Sequence, residues 1–267
     1  NLAAWFARIP NRYALITGLG FTFQTDKRWL NFLMRNLYNI ALSKTKKVFF
    51  QNHDDKNLFI NLGIVKNKKT IVVNGSGVDI NKFKETSFPK TINFLLIARL
   101  LVDKGIREYF EAAKTVKKKY PEINFGLVGW IDQNPNAITE NELNNLLADD
   151  CIEFLGHLDD VRPAIVDSSI YVLPSYSEGT PRTVLEAMSM GRPIITTDAP
   201  GCRETVINNK NGFLVKAKSS KDLADAMIRF IEKPELIETM GRHSRIIAEE
   251  KYDVKKVNTH LLYEMKI

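Results

Sequence analysis

The chain has 267 residues, 44% hydrophobic and 26% charged, which fits a globular protein of about two domains and not a disordered or fibrous one. No apolar run reaches the roughly 18 residues of a membrane-crossing helix. Two cysteines without paired spacing, Cys151 and Cys202, and four scattered histidines argue against a disulfide framework or a structural metal and suit a reducing cytoplasm. The net charge of +7 is uneven: residues 1–90 carry 15 Lys and Arg against 5 Asp and Glu, and residues 91–267 carry 23 against 26. No nucleic-acid motif accompanies the basic third, so an anionic membrane surface is the better partner and nucleic acid is not expected.

The chain opens on Asn1 in what reads as mid-helix, so a fragment of a longer protein is expected. Residues 13–23 form an apolar run broken by Gly18 and Gly20, read as a strand and a tight turn. Asp26 to about Leu42 reads as a helix, with Trp29, Leu30, Leu33, Leu37, Ile40 and Ala41 on one face and Lys27, Arg28, Arg35 and Lys44 supplying charge. Two readings stay open for it: packing on its own domain, or docking on anionic lipid. Strands are expected at 47–51 and 70–73, with a helix from His53 to Leu62 between them. A turn-rich stretch, 74–79, and a polar linker, 81–91, follow.

From Thr91 a regular alternation sets in. Apolar runs at 92–98, 124–129, 152–155, 170–174, 193–197 and 212–215 alternate with helical patterns near 103–119, 138–148, 159–167, 181–190, 202–207 and 219–231. That is an α/β repeat with a mostly parallel, Rossmann-like sheet buried on both faces. No G-x-G-x-x-G occurs, which disfavours a nicotinamide cofactor. Residues 219–267 read as helices, the last from about Tyr252.

The densest chemistry lies between Ile170 and Thr205. A polar loop ending Glu178-Gly179-Thr180-Pro181 leaves a strand and enters a helix. Thr180 is expected as N-cap and Pro181 at the first helical position, with Gly191 ending the helix. Such a loop is where open α/β sheets bind ligands, and its amides favour an anion. Glu178 and Glu186 frame it, Glu186 flanked by apolar Leu185, Ala187 and Met188. Arg99 ends an earlier strand and is expected to face the Glu178 loop, with Lys104 five residues on. Gly129 closes the second strand and allows close backbone approach. Trp130 either walls a pocket or caps the sheet, His157 reads as a rim residue, and Cys202 as passive packing.

The string S-E-G-x-P-x-x-x-L-E-A-x-x-x-G-x-P-I resembles the E-x7-E signature of retaining glycosyltransferases of family 4, which have the GT-B fold. The resemblance implies that Glu186 holds the nucleotide ribose and Glu178 the donor sugar, with Gly179, Thr180, Pro181 and Leu185 beside them. It further implies that Arg99 and Lys104 neutralise the donor diphosphate without a metal or other cofactor. By the same resemblance the turn at Val161 is expected to abut the base and Gly77 to lie by the phosphates. Residues 1–80 then belong to a partial acceptor-side domain and 92–251 to the donor domain, with 252–267 crossing back to the first. Together with ARLLVDKGIREYFEAA and GWIDQNPNAI, the chain is similar to bacterial transferases acting on undecaprenyl-diphosphate sugars in O-antigen, capsule or glycan assembly. That implies a UDP-sugar donor, a lipid-diphosphate-linked glycan acceptor and a peripheral place on the inner membrane face. The glycine-rich loop and histidine of the family's first domain have no match here, so the fragment is expected to bind donor but to transfer poorly. A GT-B epimerase and a non-catalytic sugar-nucleotide-binding module remain as alternatives.

Overall fold

The computed structural model describes residues 2–19 and 28–267. A short helix, α1 (Leu2–Phe6), precedes β1 (Tyr13–Ile16); α2 (Arg28–Leu42) leads to β2 (Lys47–Phe50), α3 (His53–Asn61) and β3 (Thr70–Val72). These strands pair in parallel in the order β1-β2-β3. Residues 20–23 of the predicted apolar run and 26–27 of the predicted helix lie outside the described residues. Strand alternation turns Ala14 and Ile16 inward onto Leu42, Val48, Phe50 and Phe59.

The apolar face expected of α2 is split. Ala41 and Leu42 are buried, with Leu30, Met34, Leu37 and Tyr38 half-buried beside them, whereas Trp29 and Phe32 are 67% and 70% exposed and Leu33 and Ile40 also point outward. The helix carries more apolar residues than one packed stripe can hold, so the sheet takes one side and the rest stays outside.

The second half alternates as expected: β4 (Asn93–Ile97), α4 (Ile106–Lys119), β5 (Asn124–Val128), α5 (Glu140–Leu147), β6 (Glu153–Gly156), α6 (Arg162–Val166), β7 (Ile170–Leu173), α7 (Arg182–Ser189), β8 (Ile194–Thr197) and β9 (Gly212–Val215). Three further helices close the chain, α8 (Ser220–Glu232), α9 (Glu235–Ile247) and α10 (Val254–Met265). All six strands are parallel, in the order β6-β5-β4-β7-β8-β9. Counted from its own first strand this is the doubly wound order 3-2-1-4-5-6, whose direction of winding reverses between β4 and β7. Both faces are buried: Phe94 and Leu96 enter one core with Tyr109, Phe110 and Phe125, while Leu95 and Ile97 enter the other with Tyr171, Leu185 and Met188. Continuous apolar runs, not alternating ones, are what such burial requires.

Residues 81–91 form no helix or strand but are anchored. Phe83 is buried, and the fully buried Arg192 guanidinium donates six hydrogen bonds, to Ile165, Val166, Thr86 (twice), Ser87 and Met190. The chain passes between the two sheets twice, and the passes bond to each other: Val78 N–H donates to the Tyr252 carbonyl (2.8 Å) and Val254 N–H to the Val78 carbonyl (3.0 Å). Beyond that crossing, the end of α10 meets the small sheet, where Tyr13 Oη donates to the Met265 carbonyl at 2.7 Å.

Candidate functional site

The reversal between β4 and β7 opens a crevice at the C-terminal ends of these strands, where ligands bind in sheets of this order. The loops leaving the two strands, 98–105 and 174–181, line it and are bonded together. Ser175 Oγ and Tyr176 N–H both donate to the Asp103 carbonyl, at 3.0 and 2.8 Å. Lys104 Nζ lies 2.5 Å from Glu178 Oε1, with both side chains mostly shielded from solvent. A shielded pair of this kind fixes the carboxylate's position more than it stabilises the fold, because desolvation offsets most of the attraction. Arg99 departs from expectation. β4 ends at Ile97, and the Arg99 guanidinium turns to Asp132 Oδ2 (3.0 Å) in the loop after β5, so Lys104 is the cation that meets Glu178.

Glu186 sits on α7 among buried Val184, Leu185, Ala187 and Met188 and is itself 6% exposed. Its ion-pair partner is Arg182, one turn earlier and largely exposed, at 3.1 Å. Burial raises the Glu186 carboxyl above the ordinary glutamate value, against the opposing pull of Arg182 and Lys82. A buried carboxylate kept beside a strand-end crevice is suited to accepting hydroxyl groups. The start of α7 differs by one residue from its sequence reading. Pro181 occupies the cap position in extended conformation and offers no capping side chain, while the Thr180 hydroxyl is drawn away to the Gln51 carbonyl at 3.2 Å. The helix end conforms: Gly191 N–H bonds to Met188 O and Arg192 N–H to Ala187 O, the paired bonds of a Schellman cap, with Gly191 at φ 79°.

Several expected donor contacts have other neighbours. Leu185 is a core side chain. Val161 stands half-buried at the start of α6. At Gly129 a Cβ would fall 2.1 Å from the Ala98 carbonyl, so the close approach is between two strand ends. Gly77 packs on the crossing, where a Cβ would fall 2.7 Å from Val254 Cα; it is Gly75 that abuts the site, with Thr180 in contact. Trp130 meets His157 edge-on at 4.9 Å, both of them partly exposed. The Cys202 thiol is buried and pushed up to about 12, which leaves it an unreactive packing group. Among the described residues no group of His, Cys, Asp and Glu is arranged to hold a metal ion.

The small sheet supplies the opposite wall. Gly179 is wedged against the loops after β1 and β2, where a Cβ would lie 2.0 Å from the Thr17 carbonyl and 2.4 Å from Gln51 Oε1. Asn52 is fully buried. Its Oδ1 caps α3 by accepting from Asp55 N–H (2.7 Å), and its Nδ2 lies 3.2 Å from both the Glu178 and Gly179 carbonyls. Asp55 is held at about 6 by burial, with the Asn52 hydrogen bond opposing and Asp54 and Glu204 adding repulsion. Arg203 bridges Asp54 and Asp198 across the same cleft. Sequence reading passed over Asn52, although Asn before an acidic first turn is an N-cap signal; nothing local announces its second set of partners.

Residues 78–246 match the family model described as glycosyl transferases group 1. Over 253 residues the chain is 34% identical to the N,N'-diacetylbacillosaminyl-diphospho-undecaprenol alpha-1,3-N-acetylgalactosaminyltransferase of Campylobacter jejuni, covering 88% of this chain and 65% of that protein. It is 27% identical to the UDP-Gal:alpha-D-GlcNAc-diphosphoundecaprenol alpha-1,3-galactosyltransferase of Escherichia coli, covering 92% of this chain and 66% of that protein. The chain therefore spans about two thirds of the length of these relatives. Among solved structures, Anabaena HepE in complex with UDP superposes with a TM-score of 0.84 at 22% identity over 99% of this chain and 74% of its own. The pneumococcal O-GlcNAc transferase GtfA does so with 0.77 at 18%, over 99% and 54%. The fold is of GT-B type, and the chain belongs to the glycosyl transferases group 1 family.

Proposed function

We propose that the chain forms the donor side of a retaining glycosyltransferase, moving a hexose or N-acetylhexosamine from a UDP-sugar to a lipid-diphosphate-linked saccharide in surface polysaccharide assembly. The observation that carries this is the Lys104–Glu178 pair at the reversal point of the large sheet, with the buried Glu186 carboxylate on the helix that leaves the same loop. Glu186 accepts the ribose hydroxyls and Glu178 the sugar hydroxyls. Lys104, with Arg99 at the rim, offsets charge on the departing diphosphate, an electrostatic role that positioned cations fill without a metal. The acceptor hydroxyl attacks from the face the nucleotide leaves and its proton passes to the departing phosphate, so anomeric configuration is kept. The identity of the two relatives above supports the lipid-linked acceptor.

Calorimetric titration with UDP, UDP-N-acetylgalactosamine, UDP-galactose and GDP-mannose, with and without chelator, tests this. Binding of a UDP-sugar that survives the chelator is expected. Binding of GDP-mannose alone, or of none of the four, would overturn it.

The finer proposal on location is that the α2 side rests on the anionic cytoplasmic face of the membrane. Outward Trp29, Phe32, Leu33 and Ile40 lie beside exposed Arg35, Lys44 and Lys46, the mixture of apolar and basic groups that an anionic lipid interface attracts. Among the described residues no helix is long and apolar enough to cross a membrane. Co-sedimentation with phosphatidylglycerol-containing vesicles at physiological salt is expected, and loss of retention there would refute the location.

A further inference from the structure

We propose that Asn52 is a positioning residue for Glu178, setting the sugar side of the donor site from across the cleft while leaving the nucleotide side alone. This rests on the reading of Glu178 as the carboxylate that meets the donor sugar.

The two ends of the Asn52 amide have separate tasks. Its oxygen caps α3 through Asp55 N–H, a task that a serine or aspartate performs about equally well. Its nitrogen is not needed for the cap. Two protons are shared among Asp55 Oδ2 at 3.0 Å and the carbonyls of Glu178 and Gly179, each at 3.2 Å. The residue is fully buried, so no water replaces those donations if they are lost.

Glu178 is held at each of its polar groups. Its N–H donates to the Pro200 carbonyl (2.8 Å), its carboxylate meets Lys104 (2.5 Å), and its carbonyl meets Asn52. Asn52 is the hold among these that comes from the small sheet. Gly179 already stands against the Thr17 carbonyl with no room for a Cβ, and the Thr180 hydroxyl stays on the Gln51 carbonyl, so the loop released from Asn52 is freed at Glu178. Glu186 lies two turns further on, in α7, where its side chain bonds to Arg182. The Glu186 side chain thus takes no hydrogen bond from the small sheet, whereas the Glu178 backbone takes one from Asn52.

The test uses the full chain with Asn52→Ser, which keeps a capping oxygen and removes the amide donor, and with Asn52→Asp as a second, isosteric variant. Calorimetry reads the Kd for UDP and for UDP-N-acetylgalactosamine or UDP-galactose, whichever the unaltered chain binds. The expected result is a UDP affinity within about twofold of the unaltered chain and a UDP-sugar affinity lowered about tenfold, the loss of one buried hydrogen-bonded contact. A UDP-sugar affinity that also stays within twofold would overturn the proposal. So would UDP and UDP-sugar affinities that fall in step, since that is what general loosening of the fold produces. An unaltered chain that binds neither ligand refutes the roles given to Glu178 and Glu186, and the role of Asn52 with them.

Discussion

Glu186→Gln separates a carboxylate kept for a ligand from one kept for the fold. The side chain is 6% exposed, and burial disfavours its ionised form. In the protein without ligand, the amide therefore removes an unfavourable buried charge. What it gives up is the pairing with Arg182, an i,i+4 contact whose partner is three-quarters exposed and which is worth about 0.3–0.5 kcal/mol. The two effects oppose, and the unliganded melting temperature is expected to hold or to rise. With ligand the balance reverses. A hydrogen bond to a charged acceptor contributes about 1 kcal/mol more than one to a neutral acceptor, so two ribose hydroxyls lose about 2 kcal/mol, or roughly 30-fold in Kd. Calorimetry gives the UDP affinity, and thermal melting with and without UDP gives stability in the same samples. A UDP affinity within threefold of the unaltered chain would refute the ribose role. A fall of several degrees in the unliganded melting temperature would show that the carboxylate serves the fold.

Substitutions at two further positions test the packing of the protein. Asp55 is raised to about 6 from the unfolded 3.8, so its contribution to stability is full below pH 3.8 and is lost as pH rises through 6. Asp55→Asn should gain on the unaltered chain across that window, by at most about 3 kcal/mol. Urea unfolding between pH 4 and 8 measures it, and a pH-independent difference would refute the titration. Arg192→Met strips six hydrogen bonds, two buried and four partly buried, from carbonyl and hydroxyl acceptors and should lower unfolding stability by about 3 kcal/mol or more. Arg192→Lys should recover less than half of that, because an ammonium lacks the planar fork; full recovery in urea unfolding would contradict this account.

The strands of the large sheet were legible because burial on both faces writes each one as an unbroken apolar run, and Ile170–Leu173 and Ile194–Thr197 lie within the runs expected at 170–174 and 193–197. Their spatial order was not legible, since no local pattern records which strand lies beside which. Two departures share one cause, a distant partner that overrides a local preference. Thr180 has the residue type and place of an N-cap, yet the Gln51 carbonyl takes its hydroxyl. Arg99 stands near a strand end, yet Asp132 takes its charge. In α2 the apolar residues outnumber the places on the small sheet, so Trp29, Leu33 and Ile40 of the expected face point outward. Arg192 looks like any surface arginine beside a glycine and a proline, and only the fold supplies its ring of carbonyl acceptors.

The bonded crossing of the chain at Val78 and Tyr252–Val254 makes one unit of the two passes that join the sheets. Parting the walls of the cleft would cost the bonds from Asn52 to Glu178 and Gly179, from Thr180 to Gln51 and from Arg203 to Asp54, none of which belongs to the crossing. Gly77 belongs to this crossing: without a side chain it lets one segment lie directly on Val254 of the other, so any larger residue there would push apart the two passes that join the sheets.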